Sequence, residues 1–150
     1  MFITDVHGME LEQAQGLTVC ETFYWDLNDR TRAFLDRVKP RTPSNYPNQE
    51  QAGTYSGVLH YLKAVADMGG ERAKASGLEV VNRMKAMPTD DDCFGPGSIR
   101  GDGRKLHPAY LFEVKGPEES RAAWDYYKLV GTGGADQAFR PRSEGGCTLA

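Results

Sequence analysis

Apolar positions recur with two different periods along this chain, and the change of period divides it. Residues 16 to 25, GLTVCETFYW, alternate loosely and are rich in β-branched and aromatic side chains, which predicts a strand. Alternation within that strand sends Phe23 and Trp25 to one face and Tyr24 to the other. Asp26 and Asn28 are helix-capping types, and the stretch NDRTRAFLDRV predicts an amphipathic helix with Phe34, Leu35 and Val38 on its buried stripe. Pro40 ends that helix. Residues 40 to 48 hold three prolines and two asparagines and predict a loop. Helical spacing returns with Ala52, Tyr55, Val58, Leu59, Leu62, Val65 and Ala66, and Gly69-Gly70 closes this long helix. A third helix is expected from Gly77 to Met87, with Leu78, Val81 and Met84 facing in and Pro88 behind it.

After PTDDD the period shortens. SIRGDGRKLHPAYLFEVKGP places Asp102-Gly103 between two extendable runs, which predicts a hairpin of residues 97 to 100 and 104 to 115. WDYYKLVGT, residues 124 to 132, reads as a last strand. The GTGG and SEGG stretches give residues 133 to 150 the look of a flexible tail. No repeat and no long linker splits the chain, so residues 1 to 150 are expected to form a single domain. The order of one strand, three helices and then several strands indicates an α/β fold. It is not the strict alternation of a doubly wound domain. The sheet must be completed by the late strands or by another chain.

A length of 150 residues suits one domain, and 39% hydrophobic with 26% charged residues is a globular composition. A net charge of −3 and a pI of about 5.6 argue against nucleic acid as a partner. No apolar run approaches the roughly 18–20 residues of a membrane span, so no membrane insertion is expected. The first residues, MFITDVHGMELEQ, carry acids where a secretory signal has a basic region and a long apolar one. Cys20, Cys93 and Cys147 are odd in number and far apart, and read as unpaired thiols.

The candidate chemistry is sparse. His7, His60 and His107 are isolated. His60 follows Ser56 by four residues, but no acid completes a triad at helical spacing, so all three read as structural or surface histidines. Asp90-Asp91-Asp92 lacks the spaced pattern of a calcium loop and reads as a solvated loop. GTGG at 131 to 134 lacks the Lys-Ser/Thr of a phosphate cradle and reads as a flexible turn. With no nucleophile, base and oxyanion donor together, an enzyme is not expected, and neither is a metal or cofactor. What remains is an excess of aromatics: Tyr46, Tyr55, Tyr61, Tyr110, Tyr126, Tyr127, Trp25 and Trp124. Such side chains, apolar with a polar tip, suit either a core or a pocket for small organic ligands.

Three segments, GLTVCETFYWDLNDRTRAF, QAGTYSGVLHYLKAV and IRGDGRKLHPAYLFEVKGPEESRAAWDYYK, occur in an order that resembles the C-terminal part of ABC-transporter substrate-binding proteins. The subgroup is the branched-chain amino acid (Leu/Ile/Val-binding) type, with the type I periplasmic-binding fold. Members have two Rossmann-like lobes joined by three crossovers. The resemblance implies a partial lobe of about three helices with a mixed or antiparallel strand set that includes the 97–115 hairpin. ETFYW would lie on a crossover strand. The implied ligand-binding residues are Glu50 and Gln51, in the loop at Asn48 that enters the long helix, and Tyr55 one turn further in. Phe23 and Tyr24, near the hinge, are the next candidates. The segments that clamp a ligand in the family have no counterpart here. The implied function is the solute-binding component of an ABC uptake system for amino acids or small aromatic carboxylates, with an ABC permease as partner. The alternative is a truncated orphan half-domain that folds and oligomerises without binding solute. Exposed apolar helix faces and open sheet edges make a homo-oligomer the expectation under either reading. The resemblance implies the periplasm. The absence of a recognisable signal in the first residues keeps the cytoplasm open.

Overall fold

Two asparagine side chains start the principal helices. Asn28 accepts hydrogen bonds from the backbone N–H of Arg30 and Thr31 at the head of a helix over Asp29–Val38. Asn48 does the same for Glu50 and Gln51 at the head of Gln49–Met68. These caps satisfy donors that have no partner inside the helix. Gly69, with φ of 85°, ends the long helix in a conformation open to glycine. The computed structural model describes residues 1 to 146, so Cys147 and the last residues of the expected tail lie outside the described residues.

In chain order the helices are α1 (Ile3–Met9), α2 (Leu11–Ala14), α3 (Asp29–Val38), α4 (Gln49–Met68), α5 (Gly70–Ala75) and α6 (Gly77–Ala86). The strands are β1 (Thr18–Glu21), β2 (Thr89–Asp91), β3 (Gly95–Ile99), β4 (Lys105–Leu106), β5 (Ala109–Val114) and β6 (Tyr127–Gly133). They form two antiparallel three-stranded sheets of order β1-β5-β6 and β2-β3-β4. The architecture is a helix-flanked antiparallel α/β fold. Among the described residues no helix is long and apolar enough to cross a membrane.

Several expectations change in detail. α1 and α2 were not read from the sequence, and they cover one end of the β1-β5-β6 sheet through Ile3, Val6 and Ala14. The first strand stops at Glu21, because Thr22 turns its N–H to the Gln49 side chain (3.1 Å) and leaves the ladder. The expected strand over 104–115 is two strands. His107-Pro108 breaks it, β4 pairs with β3, and β5 joins the other sheet. The Asp-Gly turn stands, with Gly103 at φ 87° and its N–H on the Arg100 carbonyl. Asp90-Asp91-Asp92 is not a solvated loop: Thr89–Asp91 is a strand and Asp91 is buried. The last strand begins at Tyr127, and Gly131–Gly133 continue it where a flexible turn was expected. Gly97 in β3 lies where a Cβ would overlap the Leu106 carbonyl and come within 2.9 Å of the Thr89 hydroxyl.

The helix faces also differ. α4 buries Ala52, Ser56, His60 and Ala64, a narrow face of small and polar side chains. Its larger apolar residues Val58, Tyr61 and Leu62 are exposed. On α6 the buried residue is Val80, while Leu78 and Val81 face outward and Leu78 is 71% exposed.

The aromatic triplet joins two cores. Phe23 enters a helical core with Phe34, Ala52 and Cys93. Tyr24 enters the sheet core with Val19, Phe112, Val114 and Tyr127. Trp25 packs against both. Trp124 carries a left-handed backbone (φ 65°), and its carbonyl accepts from Trp25 Nε1 at 2.8 Å and Tyr24 Oη at 3.3 Å.

Glu21 is sealed in the sheet core at 1% exposure. One carboxylate oxygen accepts from the Tyr127 hydroxyl at 2.9 Å, and the other has no partner among the described residues. Burial pushes its carboxyl up to about 7, against the pull of the Tyr127 hydrogen bond. The folded state therefore binds this proton more tightly than the unfolded chain. Stability is greatest below the ordinary value of 4.5 and falls as pH rises towards 7. Urea midpoints across that window should fall by an amount equivalent to roughly 3 kcal/mol, and Glu21→Gln should flatten the slope.

Candidate functional site

The N-terminal end of α4 is where sequence and geometry meet. The Asn48 cap is reciprocal: the Gln51 side chain returns to accept from the Asn48 N–H at 2.9 Å. This fixes the first turn and sets Glu50, Gln51 and Tyr55 along one side of a groove of about 470 Å³. The opposite side is Phe34 and Val38 of α3, with Thr42, Asn45 and Pro47 from the connecting loop. Tyr55 packs on Phe34 with ring centroids 4.8 Å apart, and Arg37 reaches the Tyr55 hydroxyl at 3.4 Å. The groove is lined almost wholly by apolar surface, and Glu50 is an exposed residue at its edge.

Phe23 and Tyr24 do not line this groove. Phe23 stands behind it, edge-on to Phe34 at 5.9 Å, and Tyr24 belongs to the sheet core. Of the five candidate side chains, the structure gathers Glu50, Gln51 and Tyr55 in one place, sets Phe23 behind them and builds Tyr24 into the sheet core.

Glu50 also borders a second, polar cavity of about 460 Å³, lined by Thr22, Gln49, Ser56, His60, Lys105 and His107 among others. Its wall holds a buried network that the sequence did not reveal. Asp91 Oδ2 accepts from Ser56 Oγ at 2.6 Å and from Lys105 Nζ at 2.7 Å, and Lys105 also donates to Ser56 Oγ at 2.5 Å. Asp91 Oδ1 accepts from the backbone N–H of Cys93 and Phe94, both at 2.9 Å. Burial alone would lift this carboxyl. The hydrogen bonds from Lys105, Ser56 and Phe94 outweigh it and hold the group below the usual carboxylate range. A serine beside a lysine suggests a nucleophile and its base. Here the ammonium is ion-paired and has no lone pair to offer, so the network is a structural clamp.

Its neighbours are clamped too. Arg30 bonds Asp90 at 2.8 Å and Asp92 at 3.3 Å, and Arg37 bonds Asp92 at 2.6 Å. His60 Nε2 pairs with the Met84 carbonyl at 2.9 Å and ties α4 to α6. His107 stacks on Phe94 at 4.6 Å, and burial lowers its pKa. His7 stacks on Trp124 at 4.1 Å, with Nδ1 2.7 Å from the Tyr126 hydroxyl. Cys93 is buried and Cys20 exposed, both as free thiols.

Residues 1–121 match the family model described as periplasmic binding protein. Among solved structures, a periplasmic binding protein from Burkholderia mallei is similar at 40% identity and a TM-score of 0.88, covering 99% of this chain and 38% of that one. A branched chain amino acid ABC transporter periplasmic ligand-binding protein from Burkholderia xenovorans LB400 is similar at 38% identity and a TM-score of 0.88, covering 98% and 38%. A solute binding protein of an ABC transporter from Rhodopseudomonas palustris BisB5, in complex with 3,4-dihydroxy benzoic acid, shares the fold at 20% identity and a TM-score of 0.69, covering 87% and 34%. The chain thus spans well under half the length of these structures. No curated protein matches it.

Lys105→Met would strand the Asp91 carboxylate in the interior. Removing one partner of a buried pair costs about 3–5 kcal/mol. Lys105 keeps some exposure, so urea unfolding should register a loss near the lower end, about 3 kcal/mol, and more than for Ser56→Ala.

Proposed function

The chain belongs to the periplasmic binding protein family, a non-catalytic class, and on that premise we propose that it serves as the solute-binding component of an ABC-type uptake system. Its solute is an amino acid or a small aromatic carboxylate, delivered to an ABC permease, and its place of work is the periplasm. The observation that carries this reading is the groove at the head of α4. Glu50 supplies an anion on the rim, while Phe34, Val38 and Tyr55 supply an apolar floor. An amino acid's ammonium would meet Glu50, and its side chain or an aryl ring would lie on Tyr55. Gln51, engaged in the cap, holds the rim in place. Phe23 and Tyr24 contribute through the hinge they pack, Phe23 by bracing Phe34 from behind.

Self-association is part of the same proposal. Val58, Tyr61 and Leu62 on α4, with Leu78 and Val81 on α6, leave exposed apolar surface. Such a surface is complementary to a second copy of itself, which is the occupant we assign to it.

A thermal-shift series with leucine and with 3,4-dihydroxybenzoate tests the binding reading. At a hundred times its dissociation constant a bound solute adds about 2.7 kcal/mol of stability. Tyr55→Ala should remove the response to leucine, and Glu50→Gln should weaken the response to leucine more than that to the benzoate. A folded sample that responds to no amino acid or aromatic carboxylate would favour the half-domain that binds nothing. Light scattering after size exclusion at micromolar concentration should give at least twice the 16.6 kDa chain mass, and a monomer would overturn the pairing.

A further inference from the structure

The turn that joins β3 to β4 faces the segment around Ala138–Gly145 across a concave space of about 610 Å³. Its lining includes four cations, Arg100, Arg104, Lys105 and Arg140, and one acid, Asp102. The chain as a whole has a net charge of −3, so this concentration of positive charge runs against its composition.

Two of the four cations are already neutralised. Arg100 grips Asp102 through both of its oxygens, at 2.9 and 2.6 Å, and holds that carboxyl well below its usual range. Lys105 is bound into the Asp91 network. Arg104 and Arg140 are different. No carboxylate among the described residues forms a salt bridge with either. The Arg104 guanidinium lies over the Phe139 ring at 5.4 Å, and the Arg140 carbonyl is held by Arg100 Nη1 at 3.1 Å. Phe139 also meets His107 edge-on at 5.4 Å, which makes an aromatic corner beside the Arg104 guanidinium, with Arg140 on the same lining.

We propose that this cavity is a second ligand site, separate from the groove at α4, for a small aromatic carboxylate. The carboxylate is taken by the planar forks of Arg104 and Arg140, and the ring is taken by the corner of Phe139 and His107. The chemistry follows from the lining. Guanidinium matches carboxylate with two parallel hydrogen bonds, which an ammonium cannot reproduce. A ring placed against Phe139 extends a cation–π arrangement that Arg104 already makes. The volume lies within the range of pockets for small organic ligands. The cavity is bounded by the hairpin turn and the C-terminal segment. Its occupant would therefore join two parts of the chain that are otherwise held there by the Arg100 contact and the ring contacts of Phe139.

The experiment is a titration of the full chain with benzoate, followed by the backbone amide resonances and by calorimetry. The expected result is that shifts concentrate at residues 102–105 and 138–141. Arg104→Ala and Arg140→Ala should each weaken benzoate at least tenfold at an unchanged circular-dichroism spectrum. Benzyl alcohol, which keeps the ring without the charge, should leave these amides unmoved. Arg104→Ala should leave the response to leucine as it was, so that failure of this site and failure of the groove reading are told apart. Benzoate shifts confined to residues 48–55, an affinity indifferent to both arginines, or no binding at millimolar benzoate would each overturn the proposal.

Discussion

The Asp91 carboxylate is the point on which the helical half of the molecule is fixed. It receives Ser56 from α4, Lys105 from β4 and two amides from the turn that follows β2. A buried charge with so many donors tolerates only one arrangement of the elements that supply them. α4 cannot slide along β2 without leaving Asp91 short of a partner, and the cost of that shortage is large in a low-dielectric interior. The groove at the head of α4 inherits its geometry from this restraint. Glu50 and Tyr55 lie on the same helix as Ser56. Asp90 and Asp92, on either side of Asp91, anchor α3 through Arg30 and Arg37. One strand of three residues, with the Asp92 that follows it, thus sets both walls of the candidate site.

What the sequence made legible was mostly local. Asn28 and Gly69 mark helix ends because caps act within one turn of chain, and the Asp-Gly turn is likewise its own explanation. The three quoted segments carried the family. The misreadings share a cause: a partner distant in sequence. Hydrophobic periodicity assigned Leu78 and Val81 to the core, yet the inner faces of α4 and α6 are built on Ser56, His60 and Val80. Small and polar residues let α4 approach β2 and α6 closely, and their hydrogen bonds are satisfied only across elements. Asp91 looked like one of three solvated acids because its lysine is fourteen residues away. Pro108 was visible, but that it hands the chain from one sheet to another was not.

Glu50, Gln51 and Tyr55 were named through the family resemblance, and the structure groups them on one groove. Phe23 and Tyr24 were expected near the hinge as ligand candidates, and the structure builds them into two cores. Neighbours in an extended chain point opposite ways, so one enters the helical core and the other the sheet core. Trp25 then closes the seam, with its indole N–H on the Trp124 carbonyl. The left-handed backbone at Trp124 is the local strain that turns this carbonyl to the seam.

The pairing of β1 with β5 has a kinetic side. Thr18 lies opposite Glu113, so that ladder encloses α3 to α6 and the whole β2-β3-β4 sheet. Contacts inside the enclosed stretch are nearer in sequence than the ladder that closes it, and closing a long loop is entropically costly until the loop has shortened itself. The helical half therefore acts as its own scaffold during folding. Condensing first would bring Glu21 and Tyr110 within reach, so the β1–β5 ladder, rather than the shorter-range β5–β6 pairing, is the part expected to close late.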